Sequence, residues 1–406
     1  MMDFRNLSIK DFTYYLQPEK IAQFPLEKRD ESKLLVYKNS EITDSYFKYI
    51  NDFIPENSYL VLNDTKVILA RLHFKKETGA KIEIFCLEPA GMDYQIEFQK
   101  KGNSVWRCYV GNVGKWKKGK LKKEFQFENK IYTLYAEIKE LLGDSFIIEF
   151  NWEPPEITFS DVLDAIGLVP LPPYIKREAE KNDESKYQTI YAEHEGSVAA
   201  PTAGLHFTNE VLEKLKLNKI DLLKLTLSVG AGTFKPVKED YIINHKMHTE
   251  SVFVSKELIE YIMNNTNKEL IAVGTTSLRT LESLYWFGLE LFHSDDYPDN
   301  HLMVHQWQPY ENKFPVITLQ ESLSAIIKFM NEKNMNYLTG ETCIIIIPGY
   351  EFKVVNGLIT NFHLPSSTLL LLIAAFIGKD WRKIYDYALE NNYRFLSYGD
   401  SSLLFK

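Results

Sequence analysis

The sequence predicts an α/β protein: a large mixed α/β domain that carries a small inserted domain of antiparallel, β-barrel-like strands. The first observation is length, because 406 residues exceed the size of most single domains. The second is a set of continuous apolar runs followed by helix-like stretches, which is typical of strands covered on both faces. The third is a change to alternating apolar and polar residues between about 66 and 152, which indicates antiparallel strands.

The main domain is predicted to comprise residues 1–65 and 153–406, and the inserted domain residues 66–152. The predicted strands of the main domain include KLLVY (33–37), YLVLN (59–63), LIAVG (270–274) and CIIIIPG (343–349). Those of the inserted domain are AKIEIFCLE (80–88), WRCYVGN (106–112), YTLYAEIKE (132–140) and SFIIEF (145–150), and NWEPPEI (151–157) is a linker back. TLLLLIAAFIG (368–378) is too short to cross a bilayer and predicts a buried helix.

The composition argues against a disulfide-rich, secreted or membrane protein. Three widely spaced cysteines argue against a disulfide framework and indicate a reducing compartment. The first residues lack the basic and apolar pattern of a signal peptide. We therefore expect a cytoplasmic protein without a membrane segment. The net charge of -8 does not indicate a nucleic-acid binder, although a local basic face would still bind RNA.

Two loops combine small residues with polar side chains. GSVAAPTAGLHFT (196–208) has neither strand nor helix periodicity, and its Thr202 and His206 are candidate ligand contacts. The alternative is a structural loop with a hydrogen-bonded histidine. LTLSVGAGTFKPV (225–237) is a strand, a turn containing Gly230 and Gly232, and a second strand, and a tight turn alone explains both glycines.

The segment HKMHTE (245–250) contains two histidines in His-x-x-His spacing. No further spaced ligands support a metal. In an extended segment His248 and Glu250 would share a face, so that the carboxylate would orient the imidazole as a base. A metal site, an acid–base or substrate-binding role, and a structural role remain open.

Three junctions place polar residues near the ends of predicted strands. In IAVGTTSLRTLES (271–283), a predicted strand is followed by Gly274, Thr275, Thr276 and Ser277 and then by a helix. The N-terminus of such a helix stabilises an anion. Arg279 would add a bidentate contact to a carboxylate or phosphate. Simple helix capping is the alternative. GLITNFHLPSSTLLLL (357–372) offers Asn361 and His363, and YRFLSYGDSSLL (393–404) offers Tyr398 and Asp400; each signal is weak by itself.

The basic hairpin GKWKKGKLKK (114–123) is a candidate RNA contact. Its lysines would neutralise phosphates while the aromatic ring stacks on a base. The alternative is a solvent-exposed hairpin whose lysines keep its edge strand from pairing with another chain. The candidate residues are Lys115, Trp116, Lys117, Lys118 and Lys120.

Taken in order, these segments resemble the S-adenosylmethionine:tRNA ribosyltransferase-isomerases of queuosine biosynthesis over nearly the whole chain. The resemblance rests on the motifs above together with LQPEKIAQFPLEKRDESKLLV (16–36), NDTKVILARL (63–72), GLVPLPPYIKR (167–177), YQTIYA (187–192) and PGYEFKVVNGLITNFHLPSSTLLLL (348–372). It implies an α/β domain with an inserted β-barrel. It also implies transfer and rearrangement of the ribosyl part of S-adenosylmethionine onto an aminomethyl-deazaguanine at the tRNA wobble position.

The product implied is epoxyqueuosine, with adenine and methionine released. S-adenosylmethionine would be consumed as a cosubstrate, without a metal or a true cofactor. Separately from the resemblance, we expect a monomer. His206, or His248 oriented by Glu250, would remove the proton beside the sulfonium. His363 or Asp400 would protonate adenine, and Arg279 with Thr275–Ser277 would hold the methionine carboxylate.

The sequence departs from the family pattern at Ser228, where histidine is usual, at Leu69, where proline is usual, and in a long insertion at about 289–340. A paralogous transferase that uses S-adenosylmethionine on a different acceptor is therefore one alternative. An RNA-binding protein that kept the scaffold and lost catalysis is another.

Overall fold

The computed structural model describes residues 6–91, 94–116, 119–227, 237, 239–294, 302–311 and 313–406. The strands, in chain order, are β1 (Lys33–Lys38), β2 (Glu41–Tyr46), β3 (Ser58–Asn63), β4 (Thr65–Val67), β5 (Arg71–Lys75), β6 (Lys81–Pro89), β7 (Asn103–Gly111), β8 (Leu121–Phe127), β9 (Lys130–Leu142), β10 (Ser145–Glu153), β11 (His194–Ser197), β12 (Asp221–Leu227), β13 (Glu250–Ser255), β14 (Glu269–Val273), β15 (Leu302–Val304), β16 (Tyr337–Thr342), β17 (Gly357–Asn361) and β18 (Ser401–Phe405). The helices are α1 (Tyr94–Gln99), α2 (Phe159–Ile166), α3 (Asp183–Lys186), α4 (Asn209–Leu217), α5 (Lys256–Asn264), α6 (Thr275–His293), α7 (Leu319–Glu332), α8 (Thr368–Ile377) and α9 (Trp381–Glu390).

A ten-stranded mixed sheet has the order β15-β16-β13-β12-β3-β14-β17-β18-β1-β2. Its centre is parallel, because β12, β3, β14 and β17 run in one direction. β18 is antiparallel to β17 and parallel to β1. The carboxyl ends of β14 and β17 and the beginnings of β1 and β18 therefore meet at one edge of the sheet, where ligands bind in open α/β folds.

Helices cover both faces of this sheet. Tyr59 and Val61 of β3 belong to a hydrophobic cluster that includes residues of α5, α6 and α8. Leu60 and Leu62 of the same strand pack on the other face with residues of α4. Burial on both sides explains why these strands are continuous apolar runs in the sequence.

A six-stranded antiparallel sheet with the order β5-β6-β7-β10-β9-β8 forms the second part of the fold. Its outer strands β5 and β8 lie against each other, so the sheet is nearly closed. Trp106, Phe150 and Trp152 pack around Phe159 of α2 inside it. The predicted fold class, a mixed α/β sheet with an antiparallel barrel-like sheet, is confirmed.

Several elements differ from the sequence-based expectation. In CIIIIPG (343–349) the four isoleucines are buried but the stretch is not a strand; the strand is β16, which ends at Thr342. The predicted linker 151–157 begins inside β10. Within 289–340, β15 and β16 extend the large sheet and α7 packs on α6. Among the described residues no helix has both the length and the apolar character that a membrane crossing requires.

Candidate active site at the edge of the large sheet

A pocket lies where the carboxyl ends of β14 and β17 face the N-terminus of α6. We call it the strand-end pocket; it is lined by Tyr174, residues 200–203, Gly274, Thr275, Thr276, residues 360–364, Ser367, Leu369, Leu396 and Ser397. The predicted residues Thr202, Gly274, Thr275, Thr276, Asn361 and His363 all belong to this lining. The fold therefore brings together side chains from three separate motifs.

Gly274 makes the sharp turn from β14 into α6. Its φ of 94° lies in the region that favours glycine. The turn aims the first amides of α6, which have no acceptor within the helix, at the pocket. Ser277 does not line the pocket, because its hydroxyl donates to the carbonyl of Val273 at 2.7 Å. The N-terminus of α6 thus offers amides and the hydroxyls of Thr275 and Thr276 to a polar ligand group.

The side-chain amide of Asn361 has a hydrogen-bond partner for its nitrogen but none for its oxygen among the described residues. Its side chain is 3% exposed. Nδ2 lies 3.1 Å from His206 Nε2, whereas Oδ1 has no hydrogen-bond partner among the described residues. A buried unsatisfied carbonyl is costly, and a ligand in the pocket would satisfy it.

His206 is buried behind Asn361. With the amide oriented as above, Nε2 accepts from Asn361 and Nδ1 donates to Ser32 Oγ at 2.8 Å. Burial of the ring, followed by the positive charge of Arg394, lowers the pKa of His206 to about 3. The imidazole is therefore neutral at pH 7. Because both nitrogens are bound within the protein, the geometry favours a positioning role over that of a base.

His363 faces the pocket directly. Its Nε2 lies 2.9 Å from Thr360 Oγ1, and its amide N–H donates to the Tyr385 hydroxyl at 3.1 Å. The Tyr14 hydroxyl donates to its carbonyl. Burial lowers the pKa of His363 to about 3, so its ring is neutral at pH 7. The neutral imidazole is a proton-transfer candidate by position, although burial makes it a weaker base than a free histidine.

Arg279 and Glu250 lie outside the pocket lining and bind each other. Arg279 Nη1 is 2.6 Å from Glu250 Oε2, and Arg279 Nε donates to the carbonyl of Ile344 at 3.2 Å. Both side chains are 5% exposed. Two findings bear on the expected roles: the Arg279 guanidinium is already paired with a carboxylate, and His248 is exposed whereas Glu250 is buried.

Asp400 and Tyr398 form a network beside the pocket. Asp400 accepts from Arg394 Nη2 at 2.9 Å and from the amides of Lys33 at 3.1 Å and Arg394 at 2.8 Å. Its carboxylate oxygens are thus engaged by three donors of the protein, and Asp400 is not among the residues that line the strand-end pocket. The Tyr398 hydroxyl donates to Asp183 at 2.9 Å.

The basic hairpin is only partly as expected. Lys115 and Lys120 are exposed. Trp116 is 2% exposed and its Nε1 donates to the carbonyl of Gly119, so the ring belongs to the barrel core and cannot stack on a base. Lys117, Lys118, Ser228, Gly230 and Gly232 lie outside the described residues.

One group of side chains has the spacing of a metal site. The ligand atoms of Asp64, Glu193 and His194 lie within 4.8 Å of one another. Asp64 accepts from Thr226 Oγ1 at 2.7 Å, and Glu193 pairs with Lys224. Protein partners therefore already account for these carboxylates, and none of the three residues lines the strand-end pocket.

Sequence reasoning missed several residues of this region. Tyr174 and Ser397 line the pocket and share a hydrogen bond of 2.6 Å. Ser32 binds His206. All three residues stand inside segments that carry the family resemblance: LPPYIKR, YRFLSYGD and DESKLLV. Their place in these segments is the feature of the sequence that could have marked them as site residues.

Comparison with known proteins gives consistent matches along the whole chain. Residues 9–404 match the family described as queuosine biosynthesis protein. The S-adenosylmethionine:tRNA ribosyltransferase-isomerases of Sulfurihydrogenibium sp. (strain YO3AOP1) and Halothermothrix orenii are 38% and 37% identical, each over 98% of this chain and 100% of the relative. The crystal structure of the S-adenosylmethionine tRNA ribosyltransferase from Thermotoga maritima is 28% identical with a TM-score of 0.46, covering 97% of this chain and 99% of that one.

Proposed function

The chain belongs to the S-adenosylmethionine:tRNA ribosyltransferase-isomerase family of queuosine biosynthesis, and from this premise we propose that the strand-end pocket is its active site. The enzyme transfers the ribosyl moiety of S-adenosylmethionine to tRNA and isomerises it to form epoxyqueuosine. The observation that carries the assignment of the site is the buried Asn361 amide, whose oxygen has no partner among the described residues and whose side chain lines the pocket.

His363 is the proposed proton-transfer residue. The reaction requires removal of a proton from the ribose carbon next to the sulfonium and later protonation of departing adenine. Among the described residues that line the pocket, His363 is the one histidine. Its lowered pKa keeps the ring neutral at pH 7 but makes it a weaker base than a free imidazole, so the proposal requires bound substrate to raise this pKa. In the same proposal, His206 holds the Asn361 amide in place, and the amide binds a polar group of the substrate.

The N-terminus of α6 is proposed to bind a second polar group of S-adenosylmethionine through its free amides, Thr275 and Thr276. Arg279 takes part indirectly, because its ion pair with Glu250 ties α6 to β13. S-adenosylmethionine is consumed as a cosubstrate, and we propose no further cofactor or metal. We propose that the catalytic unit is a monomer and that it works in the cytoplasm.

The tRNA is proposed to approach along a groove between the barrel and residues 168–179. The lining combines cations and aromatic rings, among them Lys81, Phe85, Tyr109 and Lys176, with two carboxylates, those of Glu178 and of Glu83, which pairs with Arg71. Tyr174, in the segment that forms one wall, also lines the strand-end pocket. A wobble nucleotide belongs to an unpaired loop, so turning it from the groove into the pocket is energetically cheap.

Nucleoside analysis tests this function. The purified protein, incubated with S-adenosylmethionine and tRNA carrying the deazaguanine precursor, should form epoxyqueuosine detectable by mass spectrometry. Asn361→Ala should lower kcat/KM for S-adenosylmethionine by about tenfold or more. Asn391→Ala serves as control, because Asn391 is exposed and its side chain binds only the carbonyl of Tyr387 among the described residues.

A different result supports the paralogous transferase. If precursor tRNA is not modified while adenine is still released in the presence of another acceptor, the chain uses that acceptor. Normal epoxyqueuosine formation by Asn361→Ala would move the active site away from the strand-end pocket.

A further inference from the structure

A second, smaller pocket lies beside the strand-end pocket and is rich in positive charge. We call it the cationic pocket; its lining includes Arg29, Lys186, Arg394, His206 and Ser397. None of the described residues that line it is acidic. Three cations that converge on one small space repel each other, so they require an anion nearby.

Arg29 and Lys186 have no carboxylate partner among the described residues. Arg29 donates to the carbonyls of Gln188 at 3.0 Å and Ser185 at 3.2 Å. Lys186 Nζ donates to the carbonyl of Glu27 at 2.6 Å and lies 3.5 Å from that of Leu26. Carbonyl oxygens orient these cations but do not neutralise them.

Arg394 is the third cation, and its charge is the only one of the three that a carboxylate balances. Asp400 Oδ1 lies 2.9 Å from Arg394 Nη2. No other hydrogen bond of this guanidinium is formed with the described residues, so its remaining N–H groups are available to a ligand. Two of the three positive charges therefore remain without a negative partner in the described part of the chain.

The two pockets are connected by shared residues. Ser397 lines both of them. His206 lines the cationic pocket and holds Asn361, which lines the strand-end pocket, at 3.1 Å. A substrate whose reacting part occupies the strand-end pocket is therefore able to place an anionic group among the cations.

We propose that the cationic pocket binds an anionic group of the substrate, through charge-assisted hydrogen bonds from Arg29, Lys186 and Arg394. Two groups have this chemistry: the carboxylate of S-adenosylmethionine and a phosphate that flanks the target nucleotide of tRNA. The inference rests on the proposed function, because it takes the adjacent strand-end pocket as the place of reaction. It assigns to these residues the anion binding that the buried ion pair of Arg279 does not provide.

Anion binding is testable without either substrate. Sulfate is added as the probe at constant ionic strength, and the thermal midpoint is followed. The unmodified protein should show a saturable rise that Arg29→Gln abolishes. Arg382→Gln is the matched control, because Arg382 also donates to two main-chain carbonyls, those of Asp11 and Thr13, outside this pocket. An equal sulfate response in Arg29→Gln and the control overturns the anion site, whatever the outcome for the active-site assignment.

Substrate measurements then identify the source of the anion. Arg29→Gln should raise either KM for S-adenosylmethionine or Kd for tRNA by at least about tenfold, as expected for a lost charge-assisted contact. A rise in KM alone identifies the carboxylate, and a rise in Kd alone identifies the phosphate. Arg29→Lys, which keeps the charge, should recover part of the loss. If neither quantity changes in Arg29→Gln, the pocket does not bind a substrate and the proposal fails.

Discussion

At the scale of single residues, the hydrogen-bond chain from Ser32 through His206 to Asn361 joins three distant parts of the sequence. The sequence marked His206 and Asn361 as candidates because they stand in unusual loops. It did not indicate that they bind each other, since pairing across such a distance depends on how the strands assemble. The role of His206 as base, expected from its residue type alone, is weakened by the burial that the fold imposes.

The pKa of His206 leads to a prediction on acid stability. The folded protein holds this pKa at about 3, below the ordinary value of about 6.5. As the pH falls from about 6.5 towards 3, the unfolded chain gains a proton that the folded protein does not. The free energy of unfolding should therefore fall by about 1.4 kcal/mol per pH unit from this group alone. In His206→Gln, urea unfolding between pH 4 and 7 should show a correspondingly shallower pH dependence. If the free energy of unfolding depends on pH with the same slope in both proteins, the prediction is wrong.

At the scale of elements, the N-terminus of α6 is the part of the site that sequence predicted best. A buried strand followed by glycine and three hydroxyl residues correctly indicated a strand-to-helix turn. The sequence did not indicate that Arg279 pairs with Glu250 of β13, because a helical position alone does not reveal which neighbour a side chain meets. The residue types were enough to predict the turn. The side-chain contacts of α6 depend on how the helix packs in the folded protein.

Gly274→Ala should strain this turn. The φ of 94° is unfavourable for any residue with a Cβ, although the nearest atoms, Thr276 Oγ1 at 3.6 Å and Ala203 Cβ at 3.8 Å, leave room for it. The strain predicts a loss of about 1–3 kcal/mol in the free energy of unfolding. Gly114→Ala is the control, because a Cβ there meets nothing within 4 Å and its φ is not positive. Equal stability of both variants would show that the turn is not strained.

The groove and the basic hairpin make different predictions for tRNA binding. Lys81→Glu with Lys176→Glu should weaken binding and make its salt dependence shallower, because these exposed lysines line the groove that leads to the pocket. Lys115→Glu with Lys120→Glu changes the charge equally at the hairpin. We expect a smaller effect there, because Trp116 is buried. A larger effect of the hairpin pair, measured by tRNA titration at several salt concentrations, would restore the hairpin as the main RNA contact.

At the scale of the whole molecule, helix α7, which lies within the segment 289–340, contributes to the core. Leu323, Ile326 and Met330 of α7 are completely buried, in the same cluster as Leu281 and Leu284 of α6. Ile326→Ala should therefore lower the free energy of unfolding by about 2–5 kcal/mol. The exposed Lys328→Ala on the same helix should change it little. Urea unfolding measures both variants. Equal free energies of unfolding would indicate that the helix lies on the surface and does not contribute to the core.

The sequence predicted the two kinds of sheet correctly because each has its own pattern, continuous apolar runs in one and alternation in the other. It could not predict the strand order, which places β12 beside β3 and β18 beside β1. These pairings join distant parts of the chain, and no local pattern records them. The boundaries of the domains stay a prediction, although all six strands of the barrel-like sheet lie between Arg71 and Glu153.

The position of β18 has a consequence for biosynthesis. This strand lies between β1 and β17 and is buried along its whole length, yet it is translated hundreds of residues after β1. The six barrel strands follow one another in the chain and can pair as soon as they leave the ribosome. The large sheet cannot, so the nascent chain exposes the unpaired edge of β1 until β18 arrives. During that interval the growing polypeptide is most open to aggregation and to capture by chaperones.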